Sequence, residues 1–279
     1  MPEFAEVNIQ VRYLRERCTG WPIASIGYEG WSHFQNLPEE GREAAIQDFF
    51  HNNTLEAITQ KGKHVIMRTT KGTMLSHLMF KGRWSVAGDD FLSNYKQHKK
   101  PPTEKSNNFW LINPEGKRLN FHEPEYKGKI TIFPTQSPGQ VETLEKLGPD
   151  ILILPETDPD LRQEWLVDDF LKTLKRSKQP IKVFLLDQKR QAGLGNMYAC
   201  EALYSAGIAP QRPAQSLSDA EAKRLHQAAR DVLQAALDTH LDYDKILNVY
   251  RKEADPEGHP VEESDVGGRD TFWVPTKQS

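Results

Sequence analysis

The sequence predicts an α+β protein in which a leading helix and a mostly β half precede a helical half. Apolar residues first recur at steps of three and four. Short runs of Val, Ile, Thr and aromatic residues, broken by Gly and Pro, follow, and the helical period then returns. The 279 residues suffice for two ordinary domains. We predict an N-terminal, mostly β domain, a linker, a helical domain and a small C-terminal finger at residues 1–133, 134–155, 156–246 and 247–279.

The first half begins with a predicted helix over residues 4–18, which ends near Gly20. Its apolar face consists of Phe4, Val7, Val11, Leu14 and Cys18. Two strands, 64–69 and 73–79, flank Thr70-Lys71-Gly72 and are typical of a hairpin. Further strands are predicted at 109–112, 118–121 and 129–133, with a turn at 113–116 and a polar loop at 99–107.

The second half has a helical period. One helix is predicted from the spacing of Leu161, Trp165, Leu166, Phe170 and Leu174. Residues 185–207 form two helical stretches separated by Gly193-Leu194-Gly195-Asn196, and Ser218-Asp219-Ala220-Glu221 is a capping box that opens another helix. The tail, 247–279, has the pattern of a small β-hairpin.

Composition excludes several classes of protein. No stretch approaches the 18 apolar residues that a membrane span needs, and the acidic start lacks the features of a secretory signal. Cys18 and Cys200 are the only cysteines, which excludes a disulfide framework and a cysteine-rich metal site. We therefore expect no membrane attachment, no metal and no cofactor. The expected location is the cytoplasm, with the nucleoid in a bacterium or the nucleus in a eukaryote as the place of action.

The net charge of −3 conceals two basic segments. Residues 61–100 hold nine Lys and Arg residues against two acids, and residues 172–190 hold seven against one. Such segments can concentrate a polyanion such as nucleic acid, although solvated charged faces would produce the same pattern.

Four features could carry chemistry. Loss of the initiator Met1 would expose the secondary amine of Pro2, a nucleophile near neutral pH. Glu3 and Glu6 share a helical face near that amine, either as acid and base groups or as favourable charges at a helix start. The segment 193–196 could present backbone N–H groups to a phosphate, and Gly267-Gly268-Arg269 could present a cation. Pro2 is equally compatible with being simply the second residue, the segment 193–196 with an ordinary turn, and 267–269 with a common surface feature.

Taken together, these features resemble the formamidopyrimidine-DNA glycosylase/endonuclease VIII family over essentially the whole chain. The similarity is carried by Pro2-Glu3-Phe4-Ala5-Glu6-Val7, Gly62-Lys63, Asp187-Gln188-Lys189, the segment 193–203, Ala206-Gly207-Ile208 and Val249-Tyr250-Arg251. Residues 187–207 resemble the family's helix–two-turns–helix DNA-binding motif. The resemblance implies an N-terminal β-sandwich domain after the leading helix, a C-terminal helical domain, and DNA lying in the cleft between them.

The resemblance implies a bifunctional DNA glycosylase and abasic-site lyase of base excision repair. The Pro2 amine would attack the sugar C1′ and form a Schiff base, while Glu3 would protonate the sugar oxygen and Glu6 would hold the helix start. The resemblance implies that Lys63 belongs both to the catalytic residues and to the DNA-binding residues, and the other DNA-binding residues implied are His77, Phe80, Gly195, Asn196, Tyr250 and Arg269. The expected partner is damaged double-stranded DNA, with single-stranded DNA left open, and the chain is expected to act as a monomer.

Departures from the family's sequence pattern affect two expectations, whether the finger binds zinc and which damaged bases are substrates. Residues 247–279 lack the four cysteines of the family's zinc finger, and 267–275 resemble a zincless finger that keeps the arginine. The segment 77–82, the family's wedge strand, has Phe80 where the guanine-directed branch has Met. Residues 123–128 replace an Arg-Arg-Phe tract that reads cytosine, and 239–249 is short for the loop that caps flipped 8-oxoguanine.

These departures favour oxidised pyrimidines and ring-opened or further oxidised purines as substrates. Three alternatives stay open at this point. One is a glycosylase specific for 8-oxoguanine and formamidopyrimidine, and another is a non-catalytic binder of damaged DNA with the same fold. The third is an RNA- or ribosome-associated protein with a similar two-turn motif, against which the N-terminal Pro2-Glu3 argues.

Overall fold

The computed structural model describes residues 2–29, 33–89 and 107–279 and divides the chain into two compact units. The first unit comprises Met1–Lys146 and Leu154–Leu161, and the second comprises Leu147–Ile153 and Arg162–Ser279. All but the last residue of the predicted polar loop at 99–107 lies outside the described residues. No helix in the described ranges is long and apolar enough to cross a membrane.

The first unit begins with helix α1 (Phe4–Cys18), as the apolar spacing predicts. The helix is buried on more than its apolar face, because the polar side chains of Asn8 and Gln10 are buried as well. Helix α2 (Arg42–Phe50) lies in the half that the sequence predicts as β. It buries Ile46, Phe49 and Phe50, a spacing of three and four that sequence analysis overlooked.

The strands of the first unit form two antiparallel sheets. The five-stranded sheet contains, in spatial order, β1 (Trp21–Ile23), β3 (Asn53–Lys61), β4 (His64–Thr69), β5 (Gly72–His77) and β9 (Lys129–Pro134). The four-stranded sheet contains β2 (Ser25–Tyr28), β7 (Asn107–Ile112), β8 (Arg118–His122) and β6 (Arg83–Val86). Side chains from both sheets share one apolar core, including Met67, Met74, Trp84, Phe109 and Phe121. The predicted β-sandwich with a leading helix is confirmed.

The short helix α3 (Glu142–Glu145) also belongs to the first unit, and the second unit is mainly helical. Its elements are α4 (Val167–Leu174), α5 (Ile181–Leu186), α6 (Asn196–Ala206), α7 (Asp219–Asp238), α8 (Tyr243–Ile246), and the paired strands β10 (Glu262–Asp265) and β11 (Asp270–Trp273). The predicted capping box is present at α7, where the backbone N–H of Ser218 donates to Glu221 at 2.7 Å. The hairpin predicted for the tail is β10–β11.

One helix of the second half begins later than the sequence predicts. Helix α4 begins at Val167, although the apolar period extends back to Leu161. The backbone before it is paired elsewhere, because Asp150 N–H donates to the carbonyl of Gln163 at 3.1 Å. Trp165 is buried against the His226 ring, with 4.2 Å between ring centroids. Apolar spacing therefore predicted the burial of Trp165, Phe170 and Leu174 correctly, whereas Leu166 is 50% exposed and the predicted helix start is wrong.

Candidate functional site

The N-terminus is held in an extended conformation at the start of α1. Glu3 is the N-cap residue and is only 3% exposed. The backbone N–H of Glu3 donates to Glu6 Oε2 at 2.9 Å. The Glu6 carboxylate thus satisfies one of the donors that a helix start leaves open, and it fixes the residue that follows Pro2.

Lys63 lies in the tight turn between β3 and β4. Gly62 has φ +54°, a left-handed conformation that glycine adopts without steric cost. The buried Gln60 side chain donates from Nε2 to the carbonyls of Phe4 at 3.0 Å and of Gly62 at 2.8 Å. The structure therefore brings the start of α1 and the Gly62–Lys63 turn together, which no local sequence pattern indicates.

His77 lies opposite His64 across β4 and β5, with 5.0 Å between ring centroids. Burial, followed by the nearby Lys63 and Lys129 ammonium groups, lowers the pKa of His77 to about 4. Burial, with the neighbouring His77, lowers the pKa of His64 to about 3. Met79 N–H donates to His77 Nδ1 at 3.1 Å, so a neutral His77 ring carries its proton on Nε2. At neutral pH this ring is a neutral hydrogen-bond donor.

Phe80 is presented by a turn, and the prediction that residues 77–82 form a strand is wrong beyond His77. Strand β5 ends at His77, and Met79 has φ +52°, which a strand cannot accommodate. The N–H of Gly82 donates to the carbonyl of Leu78 at 2.8 Å and closes the turn. Leu78 is buried while Phe80 is 43% exposed, so the turn projects one aromatic ring.

The loop at 123–128 is organised by a buried carboxylate. Glu123 accepts hydrogen bonds from the backbone N–H groups of Lys127 and of Gly128, the latter at 3.1 Å. Glu125 forms ion pairs with Lys81 at 2.8 Å and with Lys127 at 3.3 Å. Tyr126, at φ +54°, is 45% exposed. The loop therefore offers an aromatic ring and a charge-paired carboxylate.

The Lys127 ammonium also lies 4.9 Å from the centroid of the Phe80 ring. Together with the Lys81–Glu125 ion pair, this contact joins the Phe80 turn to the 123–128 loop. The two aromatic rings that these segments expose are Phe80 and Tyr126.

In the second unit, Gly195 is the N-cap of α6, and its loop is held by the Gln188 side chain. Gln188 accepts from Gly193 N–H at 3.0 Å and donates to the carbonyl of Leu194 at 2.8 Å. Asn196 donates from Nδ2 to the carbonyl of Asp270 at 2.8 Å. The start of α6 is thus joined to the β10–β11 hairpin, next to Arg269.

Arg269 lies at the tip of that hairpin, after two glycines at positive φ. A Cβ at Gly267 would lie 2.4 Å from Val183 Cγ2, so this close approach requires glycine. The buried Lys182 donates from Nζ to the carbonyl of Asp270 at 3.1 Å. In the sequence, Lys182 is one cation of the basic segment 172–190, whereas in the structure it supports the hairpin. Burial lowers its pKa.

Arg269 also lines a cavity of about 320 Å³ in the second unit. The other lining residues are Gln179, Val183, Leu186, Asp187 and Gly267. Asp187 is paired with Arg190 at 3.0 Å, and two lysines of the same basic segment pair with Asp169 and Asp219. These ion pairs thus neutralise part of the positive charge of the segment 172–190.

Tyr250 is positioned by α6 and by the hairpin. Its backbone N–H donates to Oε1 of the buried Glu201 at 2.8 Å, and its ring packs on Phe272 with 5.1 Å between centroids. Glu201 also accepts from the N–H groups of Asn248 and Val249. One carboxylate of the helix–two-turns–helix segment therefore fixes the tail segment before the hairpin.

The predicted site residues fall into two groups. Pro2, Glu3, Glu6, Lys63, His77 and Phe80 belong to the first unit, and Gly195, Asn196, Tyr250 and Arg269 belong to the second. Across residues 2–29, 33–89 and 107–279, no group of three or more His, Cys, Asp and Glu side chains could hold a metal ion.

Comparison with known proteins places both halves in one family. Residues 1–130 match the formamidopyrimidine-DNA glycosylase N-terminal domain, and residues 156–245 match the formamidopyrimidine-DNA glycosylase H2TH domain. The formamidopyrimidine-DNA glycosylase of Cytobacillus firmus is 30% identical over 295 residues, covering 100% of both chains. The Enterococcus faecalis protein of the same name is 29% identical, covering 100% of this chain and 97% of the relative.

Solved structures agree with this match. The Lactococcus lactis formamidopyrimidine-DNA glycosylase, bound non-covalently to DNA containing an AP site, is similar with a TM-score of 0.80 at 24% identity. A complex of the LlFpg protein with THF-DNA and an inhibitor has a TM-score of 0.79 at 25% identity. Both alignments cover 100% of both chains.

Proposed function

The chain belongs to the formamidopyrimidine-DNA glycosylase family, and from that premise we propose that it is a DNA glycosylase and abasic-site lyase of base excision repair that acts on oxidised bases. One observation carries this proposal. A Pro2-Glu3 start is fixed by Glu6 at a helix N-terminus and is joined through Gln60 to the Gly62–Lys63 turn. A protein that only binds DNA has no need of a secondary amine beside a buried carboxyl group.

The chemistry begins at the Pro2 amine, which loss of Met1 exposes. The amine nitrogen forms a bond to the sugar C1′, and the damaged base leaves with the electron pair of the glycosidic bond and takes up the proton that the amine loses. Glu3 donates a proton to the ring oxygen as the C1′–O bond breaks, which leaves an iminium between Pro2 and C1′. The iminium draws electrons from C2′, so a C2′ proton and then the 3′ phosphate can leave.

The remaining residues position the DNA. Lys63 and Arg269 supply cations for phosphates, and the backbone N–H groups at Gly195 and Asn196 supply further donors. His77 supplies a neutral Nε2–H donor. Tyr250 supports the site residues of the second unit, Gly195, Asn196 and Arg269. The damaged base must leave the stack to reach Pro2, and contacts to the flanking phosphates offset unstacking, which costs a few kcal/mol.

The substrates proposed are oxidised pyrimidines and ring-opened or further oxidised purines. By the resemblance, Glu125 stands in the tract where the family has an arginine that reads cytosine, and a carboxylate has no proton to donate to that base. Only four residues, 239–242, separate α7 from α8, which leaves little chain for a loop over a flipped purine. Selection then depends on how poorly a base stacks. A preference for 8-oxoguanine is the alternative.

Borohydride trapping on a duplex with one abasic site tests the function. Reduction converts the iminium into a stable amine, so the expected result is a covalent protein–DNA adduct. A protein that binds the abasic duplex tightly and forms no adduct would be the non-catalytic alternative. A preference for RNA over the duplex would favour the RNA-associated alternative.

The hairpin is proposed to be a zincless finger. Structural zinc requires a compact set of four Cys or His ligands, and residues 247–279 contain His259 and no cysteine. His259 packs against the carboxylate of Asp255 at 3.2 Å. We expect chelators to leave DNA binding unchanged. One stoichiometric zinc per chain in metal analysis would contradict this prediction.

Replacement of Arg269 by alanine is expected to weaken binding to abasic DNA by about ten- to hundredfold, because a guanidinium pairs with phosphate through charge-assisted bonds. The slope of log Kd against log salt concentration should decrease by about one, as expected for the loss of one phosphate contact. Lys223→Ala, which removes the same charge from an exposed position of α7, is the control. Equal losses in both variants would mean that Arg269 contributes only to the overall charge.

A further inference from the structure

We propose that Gln60 is a positioning residue whose side chain fixes the Pro2-bearing N-terminus relative to the Lys63 turn. This inference rests on the proposed function, because it takes Pro2 as the nucleophile and Lys63 as a phosphate contact. Gln60 lies at the end of β3, contributes no group to the chemistry, and is only 2% exposed. Its role follows from what its amide joins.

Both donors of the Gln60 amide are in use. Nε2 donates to the carbonyl of Phe4 at 3.0 Å and to the carbonyl of Gly62 at 2.8 Å. Phe4 is the first residue of α1 and lies two residues after Pro2, while Gly62 directly precedes Lys63. One planar amide group therefore sets the separation between the two segments.

The acceptor of the amide determines its orientation. Gln60 Oε1 accepts from Asn8 Nδ2 at 2.9 Å, and the same Asn8 amide donates to Glu156 Oε2 at 3.3 Å. A flipped Gln60 would place its oxygen against two carbonyl oxygens and its amino group against another amino group. Only one orientation satisfies all three bonds.

The Gln60 backbone is fixed as well. Its N–H donates to the carbonyl of Glu156 at 2.8 Å, and its carbonyl accepts from Asp158 N–H at 2.9 Å. The segment Leu154–Leu161, which belongs to the first unit, thus adds backbone pairing to β3 at this residue. The amide is held on both sides before DNA arrives.

Positioning of this kind affects the rate more than the affinity. A displacement of about 1 Å between a nucleophile and its target can lower a rate about a hundredfold. Loss of the Gln60 amide would leave the Phe4 and Gly62 carbonyls without their shared donor, so the two segments could move apart and form hydrogen bonds to other donors. Pro2 and Lys63 would then hold the sugar and its phosphate less accurately, although most phosphate contacts would remain.

Two variants and one matched control distinguish a positioning role of Gln60 from a general loss of folding stability. Gln60→Met keeps the length of the side chain and removes all three hydrogen bonds, and Gln60→Glu keeps the shape but replaces the donors by an acceptor. Gln10→Met is the control, because Gln10 is also a buried glutamine, whose Oε1 accepts from Trp84 N–H at 2.6 Å on β6. It has no hydrogen bond to the Phe4 or Gly62 carbonyl among the described contacts.

The experiment measures single-turnover borohydride trapping on abasic duplex at saturating protein, together with Kd and Tm. We expect Gln60→Met to trap about a hundredfold more slowly than the control at a similar Tm, with Kd changed only a few-fold. The rate of Gln60→Glu relative to the wild type should increase as the pH is lowered, because a protonated carboxyl group recovers one donor.

Each outcome has a separate meaning. Equal trapping rates for Gln60→Met and Gln10→Met would overturn the positioning role while leaving the proposed function intact. An absence of adduct with the wild-type protein would instead overturn the proposed function. If Gln60→Met does not fold, the pH dependence of Gln60→Glu tests the inference instead. A ratio of variant to wild-type trapping rates that does not change with pH would overturn it.

Discussion

A chain that retains Met1, or that carries any N-terminal extension, is expected to lose abasic-site lyase activity by at least about a thousandfold. The Pro2 nitrogen would then be part of a peptide bond, and resonance with the carbonyl removes the lone pair that attacks C1′. Removal of a nucleophile eliminates the covalent route outright, so large losses are typical. DNA affinity should change much less, because the phosphate contacts lie elsewhere.

The measurement compares an N-terminal extension with the same extension at the C-terminus. Trapping and strand cleavage on abasic duplex should be lost only in the first. Peptide mapping of the wild-type adduct should place the DNA on Pro2. An extended chain that traps as well as the wild type would show that another amine, such as Lys63, is the nucleophile.

Thymine glycol is expected to be excised at least about tenfold faster than 8-oxoguanine opposite cytosine. A good bidentate contact to a base edge is worth about 1–3 kcal/mol, and Glu125, which the resemblance sets in the arginine's tract, has no proton to donate. The Glu125 carboxylate is instead paired with Lys81 and Lys127. The exposed rings of Phe80 and Tyr126 can stack on any base, so a weakly stacked lesion should enter the site more easily.

Single-turnover rates on the two lesions in one sequence context test this preference. An abasic duplex of the same sequence is the control, because it reports lyase chemistry without base excision. A faster rate on 8-oxoguanine opposite cytosine would mean that Tyr126, Lys127 or another segment supplies the missing contact.

Much of the fold follows from local sequence patterns. Apolar spacing predicted α1, the glycine turn predicted the β4–β5 hairpin, and the Ser218 capping box marked the start of α7. These elements follow from side-chain period, turn chemistry and capping, which act over a few residues. The order of the N-terminal, H2TH and hairpin segments was likewise evident from short motifs.

Residues that depend on distant partners were not predictable in this way. Helix α4 begins only at Val167 because the backbone before it pairs with Asp150, and the Phe80 turn contains the left-handed residue Met79 where the alternation predicts a strand. Helix α2 is a different case, because its apolar spacing of three and four is a local pattern that lies within a β-rich half.

The sequence by itself determined the chemical groups of the candidate site, namely the secondary amine of Pro2, the carboxyl groups of Glu3 and Glu6, and the cations. Only the tertiary structure decided how those groups are held. Gln60 and Lys182 have no motif of their own, and each joins segments that are distant in the sequence through hydrogen bonds to backbone carbonyls. A backbone carbonyl or N–H is the same for every residue type, so the sequence carries no mark of such a partner. These bonds form because a buried polar side chain must find its partners wherever the folded chain places them.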